Sequence, residues 1–427
     1  MKPFAYQKRG IQFLARNRRA LLADEPGLGK TFQAIRACDA AFAEDVLIVC
    51  PASVIGTWKA EIAKFATRTW NFHVTSYEMA CGKEYDKLMS QRWDTIILDE
   101  AHYLKTLTSK RTKKIYGFST KDGYRRGIGL VDRAFAVWLL TGTPMPNDPS
   151  ELFPHLRALA EERIHSPRTG KVWSMHQFIN AYCVTKNNGF GDRIVGAKNA
   201  DKLHRKLNGF MLRRYKRDVL KDLPPLRFGE IQVDGDLSGL PAEEVQKVKA
   251  ALEAGGFQAL KEIAGHVGVL RRLTGLAKIG STIKWLQDWL ANSTGKIVVF
   301  AYHRDVIAAL HEQFGDIAVG ISGSTSQADR EDARERFQTD PSVRMFIGQI
   351  TAASTGITLT AASDLLFVES SWVPAEIEQA AQRIHRIGQK DSCLVRFAMI
   401  PNSIDEDIQR AVARKVGMIE RVIEGVS

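Results

Sequence analysis

The sequence predicts an α/β chain of two parallel-sheet lobes with a helical insertion between them, and three observations carry that prediction. Short apolar runs at residues 20–23, 46–50, 72–75, 95–98 and 137–140 alternate with longer helical stretches. Each run meets a turn or a polar motif at its C-terminal end, as strands of a parallel, helix-covered sheet do. The same pattern restarts at residues 297–301, 317–321, 345–349, 365–369 and 394–399. Between the two blocks the text turns helical and basic, broken by Asn187-Asn188-Gly189 and Pro224-Pro225. The expected organisation is a first lobe over 1–160, a helical insertion and linker over 161–275, and a second lobe over 276–427. Ligands of such sheets bind at the carboxyl ends of the strands.

The bulk numbers agree with this. A chain of 427 residues exceeds one ordinary core, since domains run to roughly 100–200 residues. Hydrophobic content of 44% with 25% charged residues is that of a globular protein. No run approaches the ~18 apolar residues of a membrane helix, so no membrane association is expected. The first residues carry charge with no apolar segment behind them, so a cleaved signal peptide is not expected. Five scattered cysteines form no metal or disulfide framework. They fit a reducing cytoplasm, with nucleoid association if the source is bacterial or viral. A net charge of +12 favours a polyanionic partner. The charge is concentrated: Lys105, Lys110, Arg111, Lys113, Lys114, Lys121, Arg125 and Arg126 form one cluster. Lys202, Arg205, Lys206, Arg213, Arg214, Lys216, Arg217 and Lys221 form another. Any single lysine there reads first as a solvated helix face, but two clusters flanking the motifs below point to phosphate-backbone contact.

Ala23-Asp24-Glu25-Pro26-Gly27-Leu28-Gly29-Lys30-Thr31 follows an apolar run and opens a helical one. Gly27 and Gly29 let backbone N–H groups approach phosphate oxygens at a helix N-terminus. Lys30 would neutralise β/γ-phosphates and Thr31 would offer its hydroxyl to Mg²⁺. Asp24 stands where the usual phosphate-loop pattern has its first glycine. About seventy residues later, residues 95–98 run into Asp99-Glu100-Ala101-His102, a DEAH sequence. One carboxylate at a strand end can hold the Mg²⁺ shell while its neighbour orients or deprotonates water. The two motifs in this order identify a nucleoside-triphosphatase site. Thr141-Gly142-Thr143-Pro144 reads by itself as a capped turn. Late in the chain, Arg383 and Arg386 lie three apart in Gln382-Arg383-Ile384-His385-Arg386-Ile387-Gly388-Gln389. On a helix they would share a face, a pairing suited to the charge of a phosphoryl-transfer transition state.

With these residues in hand, the chain resembles the Swi/Snf family of DNA-translocating ATPases, in particular its HepA-related annealing-helicase branch, over residues 3–416. The resemblance implies two RecA-like lobes, ATP and Mg²⁺ as cofactors, and duplex DNA bound without regard to sequence. Phe4-Ala5-Tyr6-Gln7 resembles the Q motif, implying adenine recognition by Gln7. Asp24 is the family's own variant of the phosphate loop. Ser53, Trp58, Thr75 and Ser76 fall in segments resembling the first lobe's DNA-tracking motifs. Residues 211–224 form a string specific to the family. In the second lobe Tyr302, His303, Ser322 and Gly323 fall in strand-contacting motifs. Residues 350–359 resemble the loop coupling DNA to hydrolysis, implying DNA contact by Ser354 and Thr355 and a nucleotide-side role for Gly356. Trp372 belongs to the family's Trp-Asn-Pro element. Arg386 would be the arginine finger and Arg383 its companion. Three positions depart from the family pattern: Pro26 for Met, Val373 for Asn, and Gln382 for Asp or Gly. Pro26 stiffens the phosphate loop and removes one N–H. The sequence reaches the Q motif within its first residues, so substrate-recognition modules ahead of it are not expected.

The expected function is an ATP-driven translocase on duplex DNA, acting as a monomer. Two other readings compete with it. RNA could be the track, and an ATPase fold without turnover could serve as a scaffold. The full set Lys30, Thr31, Asp99, Glu100, Arg383 and Arg386 argues against the scaffold, and the 212–224 string argues for DNA.

Overall fold

The computed structural model describes residues 2–118, 127–166, 169–187, 192–251, 263–323, 325–350, 357–371, 374–403 and 406. It divides into two compact units. One takes Met1–Thr185 with Gly196–Lys221, and the other takes Lys186–Val195 with Asp222–Val416.

The first unit is built on β1 (Arg19–Leu22), β2 (Asp45–Cys50), β3 (Asn71–Ser76), β4 (Trp93–Asp99) and β5 (Ala134–Leu140). A ribbon, β6 (Cys183–Asn187) and β7 (Asp192–Ala197), stands outside the main sheets. The short strand β8 (Met211–Leu212) completes a six-stranded sheet of order β3-β2-β4-β5-β1-β8, with every pairing parallel. Successive residues of each strand go to opposite faces. Leu47, Val49, Ile96, Leu98, Val137 and Leu139 enter one core, while Val46, Ile48, Ile97, Ala136, Trp138 and Leu140 enter another. Helices cover both faces, which is why the strands read as near-continuous apolar runs.

The second unit repeats the plan with β9 (Leu226–Gln232), β10 (Lys296–Ala301), β11 (Ala318–Ile321), β12 (Met345–Gln349), β13 (Ala362–Phe367) and β14 (Cys393–Met399). Its order is β11-β12-β10-β13-β14-β9, again parallel throughout. Val298, Phe300, Leu365 and Phe367 face one core; Ile297, Val299, Ala301 and Leu366 face the other. The α/β class with two parallel-sheet lobes is therefore observed.

The middle stretch differs from a purely helical insertion. Residues 211–212 join the first sheet and residues 226–232 join the second as edge strands. The division between the units falls between Lys221 and Asp222. Both strands escape a periodicity reading, since β8 has two residues and β9 has no buried residue and places its polar residues Arg227, Glu230 and Gln232 off a strict alternation.

Candidate nucleotide-binding site

Strand register gathers three separated motifs at one sheet edge. Leu22 pairs with Leu140, and Leu140 with Asp99. The segments leaving β1, β4 and β5 therefore emerge side by side at their carboxyl ends. Thr141 N–H donates to the Leu22 carbonyl at 3.2 Å. Gly142 lies so close to the phosphate loop that a Cβ there would meet Pro26 Cγ at 2.6 Å. The Thr-Gly-Thr-Pro turn is thus part of the site's wall.

The phosphate loop takes its form from Gly27 and Gly29, whose φ values of 89° and 75° disfavour any side chain. Gly29 caps α2 (Lys30–Ala40), which follows α1 (Ala5–Arg16) in the chain. The first turn of α2 points unpaired N–H groups back at the loop. Lys30 Nζ donates to the Asp24 carbonyl at 2.8 Å. Burial lowers the pKa of Lys30, opposed by the charges of Glu100, Asp24 and Asp99. Thr31 follows it at the helix start.

Asp99 ends β4, with its carboxylate held at both oxygens. Oδ1 accepts the Glu100 N–H at 2.9 Å, and Oδ2 accepts the Trp58 indole N–H at 2.8 Å. Burial and the neighbouring Glu100 carboxylate raise its pKa, against the Trp58 hydrogen bond and the charge of Lys30. Glu100 adopts a left-handed backbone at φ 48° and lies 3.2 Å from His102 Nδ1. His102 also meets the Thr141 hydroxyl at 3.1 Å. Two carboxylates lie near a lysine, and Thr31 follows that lysine in the chain, so the residues present offer oxygen donors with a cation beside them. That set suits Mg²⁺ carried in with a nucleotide, since this ion takes one or two carboxylates and fills its shell with phosphate and water.

The geometry places several of the expected residues inside the protein. Asp24 is fully buried with its carboxylate engaged by the protein: Arg214 Nε donates to its Oδ1 at 2.8 Å and Gln33 Nε2 to its Oδ2 at 3.1 Å. An acid in a phosphate loop would repel a triphosphate, and the Arg214 ion pair removes that charge. Gln7 is 2% exposed, with its amide spanning the Phe4 N–H and the Leu28 carbonyl. It ties the first helix to the phosphate loop, and a Cβ on Gly29 would meet its Nε2 at 2.8 Å. Trp58, expected to face DNA, is 1% exposed on α3 (Ile55–Phe65), where its ring fills the core and its N–H serves Asp99.

The second basic cluster is also divided. Arg213 turns inward to the carbonyls of Ala23 and Gly142, at 3.0 and 2.8 Å, and Arg214 joins Asp24. Lys216 is buried. Lys202, Arg205, Arg217 and Lys221 stay exposed. In the first cluster Lys105 pairs with Glu151 at 2.9 Å, while Arg111 and Lys114 lie over the rings of Tyr103 and Tyr85. Lys121, Arg125 and Arg126 lie outside the described residues.

Of the remaining DNA-contact expectations in this unit, Ser53 is half-buried in the turn after β2. Thr75 and Ser76 are buried at the end of β3, where Ser76 caps the next helix by accepting the Met79 N–H. In the second unit Tyr302 and His303 follow β10 and Ser322 and Gly323 follow β11, the two strands that flank β12. Gln349 links them, donating to the Tyr302 carbonyl at 3.0 Å and accepting from the Gly323 N–H at 3.3 Å. Glu369, which sequence reading did not single out, accepts the N–H groups of Tyr302 and His303, each at 2.8 Å. Ser354, Thr355, Gly356 and Trp372 lie outside the described residues.

Arg383 and Arg386 are not on one helical face. The helix Pro374–Ala381 ends before them, and turns follow. The Arg383 carbonyl accepts the Leu359 N–H at 2.9 Å and the Ile384 carbonyl accepts Gln389 Nε2 at 3.1 Å, so neither is left for a continuing helix. Arg383 is 8% exposed, and the half-buried Arg386 donates to the Thr358 hydroxyl at 2.8 Å.

Comparison with known proteins places this site in a family. The SNF2-related domain matches residues 6–70 and 66–234, and the helicase conserved C-terminal domain matches residues 280–388. A SWI/SNF-related matrix-associated actin-dependent regulator of chromatin subfamily A-like protein 1 homolog from Caenorhabditis elegans is 32% identical over 449 residues, covering 98% of this chain and 61% of that protein. The mouse DNA annealing helicase and endonuclease ZRANB3 is 30% identical over 463 residues, covering 99% of this chain and 41% of that protein. The chain thus spans between about two fifths and three fifths of these curated relatives. Among solved structures, the Sulfolobus solfataricus SWI2/SNF2 ATPase core in complex with double-stranded DNA covers 100% of this chain and 95% of its own, at 21% identity and a TM-score of 0.44. With the SNF2-related match running through the phosphate loop and the acidic pair, and the helicase C-terminal match through Arg383 and Arg386, the chain belongs to the SNF2-related family of helicase-like ATPases.

Proposed function

We propose that this protein is an ATP-driven motor that tracks along duplex DNA without reading its sequence. The observation that carries the reading is the convergence of Lys30, Asp99 and Glu100 at the carboxyl edge of one parallel sheet, with their charges felt by one another. In this role Lys30 and the first turn of α2 hold the β/γ-phosphates, and Asp99 and Thr31 take the Mg²⁺ that enters with ATP. That ion, when bound, neutralises charge on the transferred phosphoryl group. Glu100 orients the attacking water and accepts its proton, with His102 Nδ1 lying 3.2 Å from its carboxylate. Arg386 supplies the finger charge to the transition state, with Arg383 as its companion.

The track is inferred from charge, family and relatives. The relatives' names describe a regulator of chromatin and a DNA annealing helicase. Exposed cations such as Lys110, Lys202, Arg217 and Lys221 supply affinity through phosphates, which carry no base information. Binding therefore weakens steeply with salt. The test is phosphate release measured alone, with double-stranded DNA and with RNA. Low basal turnover strongly raised by duplex DNA of any sequence is expected. Stimulation by RNA but not DNA would overturn the choice of track, and no turnover under any condition would overturn the motor.

A further inference from the structure

Trp58 occupies a position that neither catalysis nor DNA contact explains. It is 1% exposed, packed among Ile62, Trp70 and Val74 in the core beneath α3. A buried indole needs a partner for its N–H, and a backbone carbonyl is the commonest choice. Trp138, equally buried in the same core, does this, donating to the Asn17 carbonyl at 3.0 Å. Trp58 donates instead to the carboxylate of Asp99, from 41 residues away in sequence.

The geometry around Asp99 gives that choice a consequence. Its backbone carbonyl accepts the Tyr77 hydroxyl at 2.8 Å, and its Oδ1 accepts the next N–H of the chain. Both contacts fix the strand end and one carboxylate oxygen. The Trp58 N–H then fixes the second oxygen and, with it, the rotation of the carboxylate plane. Each oxygen keeps a further lone pair, and these are left pointing in one defined direction. An acid that must meet an octahedral ion at close to ideal geometry gains most from being held in this way.

We propose that Trp58 is the positioning residue of the Mg²⁺-binding carboxylate. It orients Asp99 for the ion without touching ion or nucleotide. The proposal rests on the assignment of Asp99 as the Mg²⁺ ligand in the function above. It also gives Trp58 a role that the DNA-tracking segment's sequence does not announce: α3 follows directly on the turn holding Ser53, so the same short segment reaches the metal site.

The test is calorimetric binding of ADP, which is not turned over, at graded Mg²⁺ and in EDTA. The proteins compared are wild type, Trp58→Phe, Trp138→Phe and Asp99→Asn. Trp58→Phe keeps an aromatic ring and removes the donor. It is expected to raise the Mg²⁺ concentration for half-maximal tight ADP binding by about 10–100-fold, with ADP binding in EDTA unchanged. Trp138→Phe should follow the wild-type curve. If Trp58→Phe does not fold, as judged by a cooperative thermal melt, β-(3-benzothienyl)alanine at position 58 replaces only N–H by sulfur and is expected to give the same shift. A wild-type Mg²⁺ curve for a folded position-58 variant overturns the proposal, as does an equal shift in Trp138→Phe. Asp99→Asn separates the two levels. If it loses the Mg²⁺ dependence while position 58 does not matter, the positioning role alone fails. If it keeps the dependence, Asp99 is not the ligand and the metal assignment fails with it.

Discussion

The two units end their central strands in opposite electrostatic states. In the first, β1 leads through a glycine-rich loop into a helix, and the charges beside it are ones their surroundings resist. Burial lowers Lys30 and, with Glu100, raises Asp99. In the second, β10 leads through Tyr302 and His303 into the helix Arg304–Phe314, with no glycine in the turn. The N–H groups that could have faced an anion there already bind one, the buried carboxylate of Glu369. Burial alone would raise the pKa of Glu369, but the hydrogen bonds and charge of His303 and the Tyr302 N–H lower it. The same sheet plan thus serves two purposes. The first keeps charges that burial disfavours, and perturbed charges of this kind mark candidate functional sites. In the second, the chain's own Glu369 satisfies those N–H groups and clamps the turn after β10.

Substitutions can break this comparison, and the largest effects fall on turnover. Lys30→Ala should reduce ATP hydrolysis to background. It should not lower the stability of the nucleotide-free protein, because the folded state disfavours that charge. A steady-state phosphate assay beside a urea melt reads both, and near-normal turnover in a folded variant would sink the site. Arg386→Ala should bind ATP almost normally and lose ~10³–10⁵-fold in rate, as fingers acting only on transition-state charge do. Equal losses in binding and rate would make it a structural arginine, held to Thr358. Glu100→Gln should bind ATP and hydrolyse it ~10²–10⁴-fold more slowly. If it abolished binding while Asp99→Asn did not, the two carboxylates would exchange roles.

The smallest effect sharpens the contrast most. Glu369→Gln removes the charge from three hydrogen bonds and should destabilise the protein by about 1.5–3 kcal/mol. A lowered folded pKa means this stabilisation is present above the ordinary carboxylate range and is lost as pH falls through the folded value. Asp99 runs the other way. Its raised pKa makes the ionised form a cost to the folded protein, so Asp99→Asn should leave the nucleotide-free protein no less stable. Urea midpoints of the two variants at neutral pH, measured side by side, should move in opposite directions or leave Asp99→Asn unmoved. A fall in both would erase the distinction between the two units.

What could be read from the sequence follows the range over which each interaction acts. The strands were legible because their apolar runs are local, and so were Lys30, Asp99 and Glu100, each set by a short motif at a strand end. Asp24 shows the limit. Its partner Arg214 lies 190 residues away, and a basic cluster reads as solvent-facing until a buried acid is seen to need one of its members. A formal signal existed, since an uncompensated carboxylate in a phosphate loop demands a cation. Trp58 gave no such signal, for its donor could have met any carbonyl. The spacing of Arg383 and Arg386 suggested a helix, but Leu359 and Gln389 take the carbonyls that would have continued it. The edge strands β8 and β9 were missed because one is too short and the other too exposed for hydrophobic periodicity to register.

Movement along intact duplex is the central claim, and displacement of a triplex-forming strand tests it most directly. A third strand bound to linear duplex should be released in the presence of ATP and Mg²⁺, with no release by Lys30→Ala. A forked duplex under the same conditions should remain largely paired. Robust unwinding of the fork with no triplex displacement would make the protein a strand-separating helicase and contradict the account.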